Sequence, residues 1–463
     1  MNTKLYLSLD LGGDTIKICF GFVKNGKEYI GKIVNSESIL PDPIPAAAYY
    51  DEETKEWYYG DDIESRSNGS FLTVVKIKKL LSLLRKISPS MVFESNKDYY
   101  LNKHEFPKFY FPEKNCYYED NVEMIDSDMT FIAPGYTPKM VCENFFKYIA
   151  NIVAKEINDI RTIYGVEFNS LSITAVTPTY YGSAFSEELN RLISNAFNHE
   201  INLSIDANKA MCFSAYQQEL FKVNDKILVF DMGEERISVV KAMLVQDNDG
   251  AYVGVDASDA HSEPIEIGGA TLDENIIDYL TFELDGRITL GEKEKRNNEI
   301  ALDSKQYLLL KNVKQAKMLL SDDQYSDDFS VPVSIWKEVE IQKEINKAEL
   351  KAITGVDKVN YVSVANQIVN YISNEIKRII NYDVNKILLS GGLVETLGLF
   401  DYIVELTNKL YLDVEILKID HNGMLNNKYD VLHYEDSVYC AALGGIRAAL
   451  GECKLKTVLP YTY

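Results

Sequence analysis

The chain has 463 residues, 46% hydrophobic and 25% charged, the composition of a folded globular protein with room for two to four domains. Lys plus Arg number 48 against 70 Asp plus Glu, and the net charge of −22 argues against nucleic acid as the main partner. The N-terminus has no apolar signal core and no apolar run approaches about eighteen residues, so the expectation is a cytoplasmic protein with no membrane span. Six cysteines (19, 116, 142, 212, 440 and 453) are scattered without a C-x-x-C pair and read as small buried hydrophobes in a reducing compartment. The five histidines make no zinc pattern.

In chain order, "KLYLSLDLGGDTIKICFGFVKNGKEYIGKIV" predicts three strands, joined by a Gly-Gly-Asp turn and an Asn-Gly hairpin turn. "FLTVVKIKKLLSLLRKI" reads as helix, and residues 92–135 read as short strands and loops rich in aromatics. "TPKMVCENFFKYIANIVAKEINDIRTIYG" is a long amphipathic helix opened by Thr137-Pro138. The strand "SLSITAVTPTYY" and the helix "GSAFSEELNRLISNAFNH" follow. A second cycle begins with "DKILVFDMGEERISVVKAMLVQDNDGAYVGVDAS", three more strands. Helices "GGATLDENIIDYLTFEL", "DSKQYLLLKNVKQAKMLLSDD" and "VANQIVNYISNEIKRIINY" come next. "NKILLSGGLVETLGLFDYIVELTNKL" is strand, Gly-Gly turn and helix, and "DSVYCAALGGIRAALG" is a small-residue helix suited to close packing. This alternation predicts an α/β architecture.

Two stretches align at a spacing of 221 residues. "LSLDLGGDTIKI" (7–18) and "LVFDMGEERISV" (228–239) share Leu, Asp, Gly and Ile at matching places, which suggests two similar lobes, each opening with a hairpin. Glycines at such hairpin tips let backbone amides reach phosphate oxygens. Asp10 and Asp231, at the two strand ends, could hold a hydrated magnesium ion between them. A third turn at Gly391 and Gly392 offers a flat surface for a nucleoside.

In the order and spacing of these pieces the chain resembles the nucleotide-binding domain of the heat-shock protein 70 chaperones, within the actin-like ATPase superfamily. The resemblance implies an α/β, two-lobed actin-like ATPase fold of duplicated ribonuclease-H-like domains with a nucleotide cleft between the lobes. Lobe I would span 1–205 with a small subdomain at about 36–135, lobe II 206–450 with a small subdomain at about 271–360, and 451–463 would be a C-terminal tail. The first phosphate motif then falls on Gly12, Gly13, Asp14 and Thr15, and the second on Gly233 and Arg236. Gly268 and Gly269 match the segment after it, Lys317 and Ser321 the adenosine-contacting helix, and Gly391 and Gly392 the adenosine motif. Lys78 matches the catalytic lysine, Pro178 the proline at the lobe interface, and Asp436 the start of the final helix. Asp206 is the acid nearest to where the family's Glu-Pro segment should lie, and the metal would be held through water by Asp10 and Asp231. The implied ligand is ATP or ADP with magnesium. The implied partner is a protein acting in trans, because the peptide-binding domain of the family has no counterpart after "GECKLKTVLPYTY".

The departures gather at the phosphates. Only Thr15 offers a hydroxyl in the first turn, and Glu234, Glu235 and Arg236 stand where the second turn should be glycine and threonine. Lys314 and Met318 replace a glutamate and an arginine of the adenosine helix. A carboxylate about 4 Å from a phosphate costs about 4 kcal/mol at an effective dielectric near 20. Either the glutamates point outward and leave Arg236 to the phosphate, or one of them binds magnesium, or the site is dead. The expectation is an ATP-binding, heat-shock-70-like protein with weak or no hydrolysis that regulates a partner. The alternatives are a degenerate, nucleotide-free scaffold and an actin-like filament former. A sugar or small-acid kinase ranks last, since no substrate base is visible.

Overall fold

The computed structural model describes residues 3–34, 43–51, 54–60, 73–83, 136, 138–178, 182–220, 222–247, 250–256, 264–282, 301–302, 304–336, 340–356, 363–379, 384–410, 415–418, 438–451 and 454–458. The aromatic-rich stretch 92–135 and Asp436 lie outside them.

The chain opens with β1 (Thr3–Leu11), β2 (Thr15–Lys24) and β3 (Lys27–Ile33), an antiparallel meander. Leu5, Leu7, Leu9 and Leu11 of β1 and Ile16, Ile18, Phe20 and Phe22 of β2 are buried, the period-two pattern of a strand facing a core. The β2–β3 turn is Asn25-Gly26, both with positive φ (53° and 75°), as the Asn-Gly signal requires. The short β4 (Ile44–Pro45), β5 (Ala47–Asp51), β6 (Glu56–Tyr59) and β7 (Thr73–Lys76) precede helix α1 (Ile77–Leu83). Helix α2 (Pro138–Tyr164), β8 (Phe168–Thr177), α3 (Gly182–Phe197), β9 (Ile201–Asp206) and α4 (Ala207–Gln217) complete this half. The segment 73–76, read from sequence as helix, is strand: β-branched Thr73, Val74 and Val75 pair with β5, and the helix starts only at Ile77.

The second half opens with β10 (Lys226–Met232), β11 (Ile237–Asp247) and β12 (Gly250–Asp256), again an antiparallel meander. Helix α5 (Gly269–Thr281), β13 (Ala301–Leu302), α6 (Ser304–Ser321), the hairpin β14 (Ser330–Trp336) and β15 (Glu340–Asn346), α7 (Lys347–Thr354) and α8 (Val364–Ile379) follow. Then come β16 (Lys386–Ser390), a 3₁₀ turn (Gly392–Glu395), α9 (Leu399–Leu410), β17 (Glu415–Lys418), α10 (Cys440–Leu450) and β18 (Lys454–Val458). Sequence reading missed the β14–β15 hairpin and took β18 for a tail; β18 pairs in parallel with β12.

The two main sheets share one order. The first runs β3-β2-β1-β8-β9 and the second β12-β11-β10-β16-β17, with an antiparallel meander on one side and parallel strands on the other in each. The molecule is thus a mixed α/β protein with an internal repeat that reaches beyond the two matching hairpins. One core packs β1, β2 and β8 against α1, α2 and α3, and a second packs β10, β11 and β16 against α5, α6, α8 and α9. A third core lies between the sheets, where Val176 and Ile205 meet α4, Val229, Leu388 and Cys440. There α10 crosses α4 with backbones in contact: a Cβ on Gly444 would stand 1.8 Å from the Ala210 carbonyl oxygen. Ser214 Oγ donates to Cys440 O at 2.6 Å across the same crossing. A smaller sheet, β13-β7-β5-β6, takes strands from both halves. Cys19, Cys142, Cys212 and Cys440 are buried and form no disulfide, as a hydrophobic role requires.

Candidate functional site

The repeat extends into the hairpin turns. Gly12 N–H donates to Thr15 O at 2.9 Å, and Gly233 N–H donates to Arg236 O at 3.2 Å, so both turns close over the same number of residues. The 221-residue offset puts Glu234 where the first turn has Gly13, Glu235 where it has Asp14, and Arg236 where it has Thr15. The backbone is matched and the side chains are not.

Both glutamates turn inward. Glu235 lies across the face of Gly13, where an added Cβ would meet its Cγ at 3.1 Å and its Cδ at 3.2 Å. Its Oε2 stands 3.9 Å from Nζ of Lys78, a side chain only 6% exposed. Asp14 accepts from Lys76 at 3.1 Å and from Lys314, which reaches it from α6. Lys314 also pairs with Glu234 at 2.7 Å and stands 3.9 Å from Asp273. Lys317 pairs with the fully buried Asp273 at 2.5 Å and donates to Gly269 O at 3.3 Å. Arg236 points the other way and pairs with the exposed Glu266 at 3.3 Å. The sequence allowed outward glutamates with Arg236 at the phosphate; the structure has the reverse.

Gly268 and Gly269 open α5, where free helix amides could receive an anion. Those amides serve the turn instead. Gly269 N–H donates to Gly233 O at 3.1 Å and Ala270 N–H to Glu234 O at 2.9 Å. Glycine is needed because a Cβ on Gly268 would lie 2.2 Å from Glu234 O, and one on Gly269 2.5 Å from Glu234 Oε2.

Three acids end strands on the same side. Asp10 and Asp231 are the penultimate residues of β1 and β10, Asp206 closes β9 in the sheet of β1, and Asp231 is paired in register with Ser238 and Ser390. Asp206 also caps α4, accepting from Asn208 N–H at 3.1 Å and Lys209 N–H at 3.4 Å. Burial pushes the Asp231 carboxyl up to about 6, helped by the charge of Asp10 and opposed by Lys78 and Lys17. Lys17 folds back over Gly12, where a Cβ would meet its Nζ at 2.5 Å. Among the described residues no group of three or more His, Cys, Asp and Glu side chains is arranged to hold a metal ion.

The Gly-Gly turn after β16 divides its work. Gly391 has φ +105° and its Cβ position is 2.6 Å from Met232 O, so glycine there serves the backbone's approach to β10. Gly392 faces open space. Ser321 Oγ donates to Lys317 O at 2.8 Å and accepts from Leu397 N–H at 3.0 Å, tying α6 to the chain beyond this turn. Sequence reading missed Asn208, which is fully buried, donates to Val229 O at 3.1 Å and accepts from Ser238 Oγ at 3.2 Å. It joins the Asp206 cap to the second hairpin. Sequence reading also gave no role to Lys76 and Asp273, although both lie within stretches that resemble family segments.

The cluster is electrically compensated. Burial acts to raise the Glu235 carboxyl, yet Lys78, Lys79, Lys76 and Arg236 together hold it below the ordinary value. Burial pushes Glu234 up to about 7, with the charge of Asp273 adding to it. Burial also raises Asp273, against the pull of Lys317. Lys317 is raised, because Asp273 and Glu234 outweigh its desolvation. Burial and the like charge of Lys317 push Lys314 well down, while the Asp14 and Glu234 carboxylates against it favour its ammonium form. Burial and Lys76 bring Lys79 down to about 7. Among the described residues Lys76, Lys78, Lys314 and Lys317 each have an acid beside them, and Lys79 gives up charge. No protein-family model matches the chain, and no curated protein is significantly similar to it. Among the described residues no helix is long and apolar enough to cross a membrane.

Proposed function

We propose that the chain is a heat-shock-70-like relative of the actin-like ATPases, with two ribonuclease-H-like lobes, that works as a nucleotide-independent scaffold or regulator for a protein partner acting in trans. One observation carries this reading: Glu234 and Glu235 lie inside the cleft, against Lys314 and Lys78, where a triphosphate would need those lysines free. The repeated strand order and the matched turns support descent from a two-lobed nucleotide fold. The donor set does not fit a triphosphate. Its cations are matched by carboxylates, and the amides at the start of α5 are taken by the turn's own carbonyls. A phosphate entering this site would meet a carboxylate at an energetic cost of several kcal/mol. Titration calorimetry of the purified protein with ATP and with ADP, in magnesium and then in EDTA, tests the reading. The expected result is no heat at millimolar nucleotide; tight, magnesium-dependent binding overturns it.

A second reading keeps ATP or ADP with magnesium as ligand. It is favoured by Asp231, whose carboxyl is raised by burial and then by the charge of Asp10, and by the open face of Gly392. It requires Glu235 to leave Lys78. In that case Lys78→Ala should abolish whatever slow hydrolysis the protein has, and Asp231→Asn should abolish the magnesium dependence.

A further inference from the structure

The ion pairs of the cleft are of two kinds. Lys76–Asp14 lies within the first half, and Lys314–Glu234 and Lys317–Asp273 lie within the second. Asp14–Lys314 and Lys78–Glu235 cross from one half to the other. In both crossing pairs the carboxylate sits on a turn, Asp14 between β1 and β2 and Glu235 between β10 and β11, and the lysine on a helix of the other half. The halves are also joined by the tight α4–α10 crossing, with Gly444 against Ala210. Beside the pairs, β13 of the second half adds two residues to β7 of the first, next to Lys76. The halves therefore meet through a close-packed helix crossing and through charged contacts at the turns.

We propose that the Asp14–Lys314 and Glu235–Lys78 pairs form a built-in clasp, two carboxylates holding the halves together where a phosphate-bearing ligand would otherwise bridge them. This rests on the reading of the cleft as self-occupied, and it adds what that occupation does. The geometry is that of a surrogate ligand. A bridging anion gains by touching cations from both sides of a cleft, and here each bridging carboxylate is supplied by the turn on one side to a lysine on the other. The pairs are 6–22% exposed, so their attraction is only partly screened by water. Gly13 completes the seat, since any Cβ there would press on the Glu235 carboxyl. A clasp of this kind keeps one surface presented to a partner without a nucleotide cycle.

The test is hydrogen exchange of the full chain, read on peptides covering 226–240 and 73–83, for the wild type and for Asp14→Asn with Glu235→Gln. Both substitutions keep volume and shape and remove only charge. Exchange in both peptides should rise by about tenfold or more in the double variant, because the lost pairs lower the cost of opening. Inorganic pyrophosphate should restore the protection in the variant, where Lys76, Lys78 and Lys314 no longer face the charges of Asp14 and Glu235, and should leave the wild type unchanged. Unaltered exchange in the variant overturns the clasp. Faster exchange that pyrophosphate does not restore overturns the surrogate role. If the double variant does not fold, Glu235→Gln alone gives the same decision, with a smaller rise expected and no rise counting against the proposal. Nucleotide binding by the wild type would refute the proposed function and is measured separately, so the two failures are distinguishable.

Discussion

Glu234→Gln separates an inward glutamate from an outward one through the pH dependence of stability. Glu234 has its carboxyl pushed up to about 7, first by burial and then by Asp273, against an ordinary value near 4.5. The folded state therefore keeps a proton that the unfolded chain has released over that interval. Stability contributed by such a group is whole below about 4.5 and is lost as pH rises through about 7. Each pH unit in that window is worth about 1.4 kcal/mol for one proton, so the wild type loses about 2–3 kcal/mol between pH 5 and 7 on account of this residue. Glutamine keeps the shape, can still accept from Lys314, and cannot titrate. Thermal unfolding at pH 5, 6, 7 and 8 should find the variant less stable than or equal to the wild type at pH 5 and gaining on it steadily to pH 7. At about 2–4 °C per kcal/mol for a unit of 150–250 residues, the relative shift in Tm is about 4–12 °C. Parallel curves would refute the inward placement, and a variant that loses ground as pH rises would reverse its sign.

Glu235→Gln should behave in the opposite sense. Its carboxyl is held down by Lys78, Lys79, Lys76 and Arg236 against burial, so its stabilisation is present above about 4.5 and disappears as pH falls through the depressed value. Across pH 5 to 8 the variant should show a constant loss, and in a series extended below pH 4.5 that loss should fade as pH falls through the depressed value. Asn208→Ala removes a buried amide and strands Val229 O and Ser238 Oγ; a loss of about 2 kcal/mol in urea unfolding is expected, and a loss under about 0.5 kcal/mol would contradict the bridge. Gly391→Ala combines φ +105° with a Cβ 2.6 Å from Met232 O and should cost about 2–4 kcal/mol, whereas Gly392→Ala, facing open space, should cost under about 1 kcal/mol.

The strands and long helices were legible because their signals are local. The leucines of β1, the Asn25-Gly26 turn and the Pro138 start of α2 each carry their cause within a few residues. The repeat was legible from two hairpins, and the shared strand order extends it into partners that no motif marks. The 73–76 segment misled because Lys76, Lys78 and Lys79 fit a helical face, while its pairing with β5 is a contact across more than twenty residues. At the site, the unusual residues were legible but their direction was not. Glu234 and Glu235 stood out as wrong for a phosphate turn, yet whether they faced in or out depended on Lys314, eighty residues on, and on Lys78 of the other half. Lys314 itself stood out only as a lysine where the resemblance would have a glutamate; it gives Glu234 and Asp14 their partner. Asn208 and Asp273 carry no signature, since buried polar residues on ordinary helices are common.

The central claim is that the second turn fills the cleft with its own carboxylates. Carbon-13 NMR titration of the side-chain carboxyls in protein labelled at glutamate, with Glu234→Gln and Glu235→Gln used to assign the two resonances, reads this directly. The account predicts that Glu234 titrates far above the ordinary glutamate range, near 7, and Glu235 below it, with neither changed by ATP and magnesium. Two resonances titrating together near 4.5, or both moving when nucleotide is added, would mean that the glutamates face solvent and that the phosphate site is open.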